Sequence, residues 1–306
     1  MYRLLVAVSL CILFALLAFS CGSGGEKKAE FTGAPGEIAL MTVDPGHFHA
    51  GLLQKVMYGQ VSDTAYVYAP EGPDVVDHLA RIQSFNTRDE NPTHWVEQVY
   101  TGDDFFEKML EERPGNVAVF AGNNRRKTEF ITRSVEAGLN VYSDKPMCID
   151  RNGFELLKQA FATADANNVL LYDVMTERHE ITTILQKELA HTPSVFGELK
   201  PGTPDDPSVT KESVHHLFKY VAGSPLTRPA WFFDVTQQGE GLVDIGTHLV
   251  DLVQWECFPE DIIDIDSDIT MISARRWPTM MTREQFGRVT RLLDFPDYLK
   301  PLLDNN

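Results

Sequence analysis

Between residues 37 and 172 short apolar runs alternate with amphipathic stretches, and this alternation limits the fold more than any other feature. The runs at 37–43, 64–68, 116–121, 139–142 and 169–172 are rich in β-branched and aromatic residues and bounded by Gly, Pro or Asn, the signature of buried strands. Residues 49–58, 74–82, 103–112, 127–137 and 154–167 read as the intervening helices, and 86–94 as a loop. Gly138 is a natural stop for the fourth helix. Parallel strands need crossovers of this length. The expected fold class is therefore α/β, with βαβ units forming a parallel sheet over residues 37–175.

Past residue 175 the pattern changes. Residues 193–207 are rich in Pro, Gly and Asp, and aromatics gather at Trp231, Phe232 and Phe233. A second domain, or a large insertion, is expected to start near residue 176 and to take up the chain to 306. After Trp255 about fifty residues remain, and 275–306 read as helical and Pro-punctuated, so this domain is expected to be reduced or incomplete.

The N-terminus has a different character. Arg3 precedes an apolar stretch over 4–19, and Ala18, Phe19 and Ser20 lead into Cys21. A basic start, an apolar stretch and small residues before a cysteine form a lipoprotein signal pattern. Residues 1–21 are expected to be the signal peptide, with Cys21 lipidated, and 22–36 a Gly-, Lys- and Glu-rich tether. An uncleaved anchor helix is the competing reading, although the stretch is short for a membrane span. Both readings tether the body to a bacterial membrane, facing the periplasm or the cell surface. The net charge of −17 argues against nucleic-acid binding, because a phosphate backbone repels such a surface. Cys148 and Cys257 stand far apart, without metal-ligand spacing, and are expected to be buried thiols.

Three segments could carry chemistry. Asp44-Pro45-Gly46-His47-Phe48-His49 follows the first strand, where a doubly wound fold cradles a pyrophosphate on helix amides. Only Gly46 remains of the usual glycine pattern. His47 and His49 form an HxH pair, but no carboxylate supports it in sequence, so no metal is expected. The second segment is Asp144-Lys145-Pro146, at the end of a strand. A lysine there can hydrogen-bond a hydroxyl and, once desolvated, lower its pKa. The third runs from Gly239 to Asp251. If a helix starts at Asp244, then Asp244, His248 and Asp251 share one face. A histidine so placed can take a hydroxyl proton while a carboxylate orients it. A capping Asp244 with a satisfied His248 is the bland alternative.

In order and spacing the three segments resemble the glucose–fructose oxidoreductase, inositol dehydrogenase and rhizopine-catabolism family, across roughly residues 37–256. That family typically carries Glu-Lys-Pro and Asp-x-x-x-His at the second and third positions. The resemblance implies a Rossmann domain, a second α/β domain with an open sheet, and a nicotinamide cofactor, NAD or NADP. It implies that Lys145 is the catalytic lysine and that Asp244 and His248 are the substrate and proton-relay pair. It places Gly46, His47, Glu71, Asn123, Asn124, Asp144 and Pro146 around the cofactor. The implied activity is hydride transfer between the nicotinamide and a sugar or polyol hydroxyl. An exported enzyme has no cytoplasmic NAD pool to draw on, so the cofactor is expected to be held tightly and recycled. An NAD-dependent glycosidase acting by transient sugar oxidation and a non-catalytic sugar-binding lipoprotein are the alternatives. A homo-oligomer stays open.

Overall fold

The computed structural model describes residues 31–303 apart from His215 and Ala222; the leader and Cys21 lie outside the described residues. β1 (Leu40–Val43) is buried along its whole length. Met41 and Val43 join Phe106, Met109, Phe120, Phe130 and Ile131 on one face, while Leu40 meets Ala65 and Val119 on the other. A strand covered on both faces reads as a continuous apolar run, which is why it was legible. β2 (Thr64–Ala69), β3 (Val96–Thr101), β4 (Val117–Phe120), β5 (Asn140–Asp144) and β6 (Leu171–Val174) complete the sheet. All pairs are parallel, in the order β3-β2-β1-β4-β5-β6. This is the order of dinucleotide-binding sheets, and it reverses between β1 and β4, opening a crevice at the carboxyl ends of those strands.

The crossovers are α1 (Pro73–Thr87), α2 (Phe105–Glu112), α3 (Lys127–Glu136) and α4 (Arg151–Ala166). Asp150 caps α4 by accepting a hydrogen bond from the Gly153 amide at 2.7 Å. Gly138 follows α3 at a φ of 77°, a conformation that a Cβ penalises.

Several expectations are corrected. β3 was not among the expected strands: Val-Glu-Gln-Val-Tyr-Thr is polar and largely exposed at the sheet edge, so it carries no apolar run, and only its pairing with β2 makes it a strand. The helix expected over 49–58 is a short 3₁₀ segment, Phe48–Gln54. Cys148 and Cys257 are free thiols, but half-buried.

Beyond β6 the chain holds a 3₁₀ turn at Thr176–His179, α5 (Ile181–Ala190), α6 (Thr247–Cys257) and α7 (Arg283–Thr290). Among the described residues of this part, the strands are limited to a two-residue ladder between Tyr220–Val221 and Ser224–Pro225. Residues 275–303 are helical only in α7 and in the 3₁₀ segment Asp297–Leu302. No helix among the described residues is long and apolar enough to cross a membrane.

The crevice walls approach closely at Gly122. A Cβ on Gly122, just after β4, would stand 1.8 Å from the Asp44 carbonyl oxygen and 2.9 Å from the Gly46 nitrogen. Both neighbours are backbone, so the loops after β1 and β4 would have to part. Gly122→Ala is expected to lower stability by about 2 kcal/mol or more in urea unfolding. Gly138→Ala, which meets open space and pays only for its φ, should cost about 1 kcal/mol.

Candidate active site at the carboxyl edge of the sheet

Residues 231–251 lie across the strand ends and touch them in turn. The Trp231 Nε1–H donates to Asp74 Oδ2 at 2.7 Å, at the start of α1. Asn123 Nδ2, in the loop after β4, donates to Gln237 Oε1 at 2.7 Å, and Asn124 Nδ2 donates to the Gln238 carbonyl at 2.9 Å. At the end of β5, Lys145 Nζ donates to Asp244 Oδ1 at 2.7 Å and to the Asp244 carbonyl at 2.9 Å. After β6, Glu177 Oε2 lies 2.5 Å from His248 Nδ1. Arg178 grips Asp251 with two nitrogens, Nε at 2.8 Å. Lys145, Asp244, His248 and Asp251 are all buried.

The helix expected to start at Asp244 instead opens with a π-helical turn, Leu242–Gly246, and α6 proper begins at Thr247. Asp244 is not the cap of α6. Its carboxylate serves Lys145, and the carboxylate beside His248 is Glu177. Asp251 does not join them; it pairs with Arg178. Thus the three residues read as one cluster reach two different strand ends. Sequence reasoning missed Glu177. It follows β6 as Lys145 follows β5, and that same position at a strand's carboxyl end was the signal that could have found it. Burial works to raise the Glu177 carboxyl, but the adjacent His248 imidazole outweighs it and holds it below the usual range.

The turn after β1 is built unlike a glycine-rich phosphate loop. The Gly46 and His47 amides both donate to the Ala121 carbonyl, at 3.0 and 2.9 Å. A Cβ on Gly46 would meet Asp74 Oδ2 at 2.8 Å and the Trp231 ring at 2.9 Å. Asp144 faces the histidines: Oδ2 is 2.8 Å from His47 Nδ1 and Oδ1 is 2.7 Å from His49 Nδ1. The fold therefore supplies the carboxylate that the HxH segment lacks in sequence. Burial, with help from His49, pushes His47 down to about 3. Burial also pushes Lys127 down to about 8; its Nζ rests 3.4 Å from the Asp144 and Pro146 carbonyls. Asp44 is raised to about 6 by burial and by the charge of Asp74. Asp74 is likewise raised to about 6 by burial, against the Trp231 hydrogen bond.

A dinucleotide fits the two ends of this crevice better than its middle. Beyond β1 and β2 opens a cleft of about 350 Å³, walled by Pro45, Gly46, Pro70, Glu71 and Trp231 among others. Its size suits a nucleoside, and the exposed Glu71 follows β2, where a ribose-binding acid is expected. At the other end, Lys145, Asp244 and His248 form a polar group suited to a reacting hydroxyl. In between, the two amides are already engaged and Asp44 and Asp74 are close by. Asn124 Oδ1 is buried there without a hydrogen-bond partner.

Residues 185–306 match the family described as "Putative oxidoreductase C terminal domain". A crystal structure of a "putative oxidoreductase" from Parabacteroides merdae ATCC 43184 is 60% identical, with a TM-score of 0.85 over 90% of this chain. The chain spans 63% of that protein's length. Structures described as "putative oxidoreductase" from Thermotoga maritima and Erwinia carotovora atroseptica SCRI1043 share the fold at 13% and 14% identity, each with a TM-score of 0.50 over 72% of this chain. The chain spans 58% and 56% of those two proteins. None of the curated proteins matches it.

The raised Asp74 gives a test of the crevice electrostatics. Its value near 6 in the folded chain lies above the ordinary 3.8, so the folded state binds this proton more tightly than the unfolded state. The contribution to stability is present at low pH and is lost as pH rises from about 4 through about 6. Asp74→Asn keeps an acceptor for the Trp231 N–H and removes the charge. It is expected to match the wild type near pH 4 and to exceed it by about 1–2 kcal/mol above pH 7. Urea unfolding at both pH values checks this.

Proposed function

We propose that this chain is a member of the glucose–fructose oxidoreductase type of family and works as a nicotinamide-dependent oxidoreductase on a hydroxyl-bearing carbon of a sugar or polyol. One observation carries this reading: a buried lysine at the carboxyl end of β5, held through two hydrogen bonds by an aspartate one helical turn from a carboxylate-paired histidine. When bound, NAD or NADP supplies the hydride acceptor and donor.

The chain's own residues handle the proton and the charge. An ammonium has three N–H donors, and Asp244 engages two through its carboxylate and its carbonyl. The third is available to a substrate hydroxyl. The fixed positive charge favours the negative charge that develops on the oxygen as hydride leaves its carbon. His248 takes the hydroxyl proton at the ring nitrogen away from Glu177, and the Glu177 carboxylate stabilises the imidazolium so formed. Burial of the group keeps these interactions strong, because little water competes for them.

The N-terminal pattern around Cys21 supports a lipid-tethered body outside the cytoplasm. Such a location favours a tightly held, recycled cofactor over one exchanged with a free pool. The mass of the processed N-terminus tests the tether: a diacylglyceryl cysteine at position 21 is expected, and an intact Met1 would oppose it.

For the activity, the purified protein is denatured and the released nucleotide identified by mass spectrometry. NAD or NADP is expected; neither in the supernatant, with no affinity for either when added, would sink the proposal. Lys145→Met is expected to lower turnover at least about a hundredfold while nucleotide content stays unchanged. Glu177→Gln, which keeps the shape beside His248 and removes the charge, is expected to lower kcat by about tenfold to a hundredfold.

A further inference from the structure

The segment after β1 carries two histidines, and the fold sets the Asp144 carboxylate between them, with one oxygen near each Nδ1. The three ligand atoms lie within 4.8 Å of one another, and no other group of three His, Cys, Asp or Glu among the described residues does so. A carboxylate shared by two imidazole N–H donors would account for His49, whose contact is aligned as a hydrogen bond. It does not account for His47. That Nδ1 is buried and close to the carboxylate, yet no hydrogen bond is aligned on it. The two rings stand edge to face, with centroids 4.2 Å apart, so both nitrogens can turn toward one point. Lys127 does not compete for the carboxylate, since its Nζ rests on the Asp144 main-chain carbonyl.

We propose that His47, His49 and Asp144 form a binding site for one divalent transition-metal ion of the zinc class. Two imidazole nitrogens and one carboxylate oxygen are a borderline donor set that suits zinc and its neighbours, whereas calcium and magnesium favour oxygen ligands throughout. Tetrahedral bonds of about 2.0–2.2 Å set neighbouring ligand atoms about 3.3–3.6 Å apart, so each histidine nitrogen and the carboxylate oxygen facing it, now 2.7–2.8 Å apart, would open by roughly half an ångström or more. Three protein ligands leave a coordination position for water or for an oxygen of a bound molecule. The site stands between the ends of β1 and β5, next in sequence to Lys145. It occupies the place where a glycine-rich loop would otherwise meet phosphate. The inference does not depend on the nucleotide reading, because metal content is measured without turnover.

The test uses the full chain, stripped with a chelator and titrated separately with Co²⁺ and Zn²⁺. Visible absorption reads bound cobalt, and elemental analysis after dialysis reads zinc. One ion per chain is expected. His47→Gln, His49→Gln and Asp144→Asn should each weaken binding by at least about a hundredfold, the upper end of what the loss of an outer-shell partner costs. Thermal melts confirm that the variants are folded, and the His47 variant, whose side chain is partly exposed, should disturb the core least. A wild-type protein that takes up neither ion overturns the proposal. So does an ion retained at full affinity by all three folded variants, since it would then sit elsewhere.

Discussion

The buried ion pair between Lys145 and Asp244 joins the sheet to everything that follows it. Lys145 ends β5, and Asp244 sits in the π-helical turn that opens into α6. Two opposite charges leave water together, and each helps to offset the other's desolvation from 2.7 Å away. Removing one partner of such a pair typically costs about 3–5 kcal/mol, because the other is left buried and unpaired. The pair also aligns what lies beyond it. With Asp244 anchored, α6 carries His248 to Glu177 and Asp251 to Arg178, so the ends of β5 and β6 are both engaged from one helix. A single contact thereby serves as structural joint and as centre of the candidate site.

The rest of the crevice follows from charge held away from water. Lys127, Asp44 and Asp74 are pushed toward their neutral forms by burial, while Asp144 keeps its charge. Burial works against the Asp144 anion too, and the two histidines beside it outweigh that cost. The middle of the crevice is thus set by a carboxylate and two imidazoles where related folds present glycine amides. Its two ends, a nucleoside-sized cleft at β2 and the lysine–aspartate–histidine group at β5, both lie in the crevice at the carboxyl ends of the strands.

Legibility in the sequence followed the physics of burial. β1, β2 and β4 announce themselves because both faces of the sheet are covered. β3 carries no such pattern, since an edge strand is free to be polar. Lys145 was legible because a strand that ends in a charged residue and a proline is unusual. Glu177 was not, because Thr-Glu-Arg-His after β6 looks like any solvated turn until α6 packs on it. Asp251 was misplaced for the opposite reason: its spacing from His248 fits one helix face, but the π turn and the position of Arg178 send it to another partner.

By itself the sequence determined the alternation of strand and helix, hence a parallel sheet with a crevice at its carboxyl edge, and the residue types available there. Those follow from local patterns of apolar and turn-forming side chains, which depend on neighbours a few positions away. Only the tertiary structure decided which side chains meet. Asp144 joins His47 and His49 across almost a hundred residues of chain, and Lys145 joins Asp244 across a similar span. Such pairs are chosen by strand order and helix packing, and no local pattern records them. The strand-end lysine was legible as a candidate; its pairing with Asp244, the histidine's glutamate and the histidines' carboxylate emerged only when the fold brought them together.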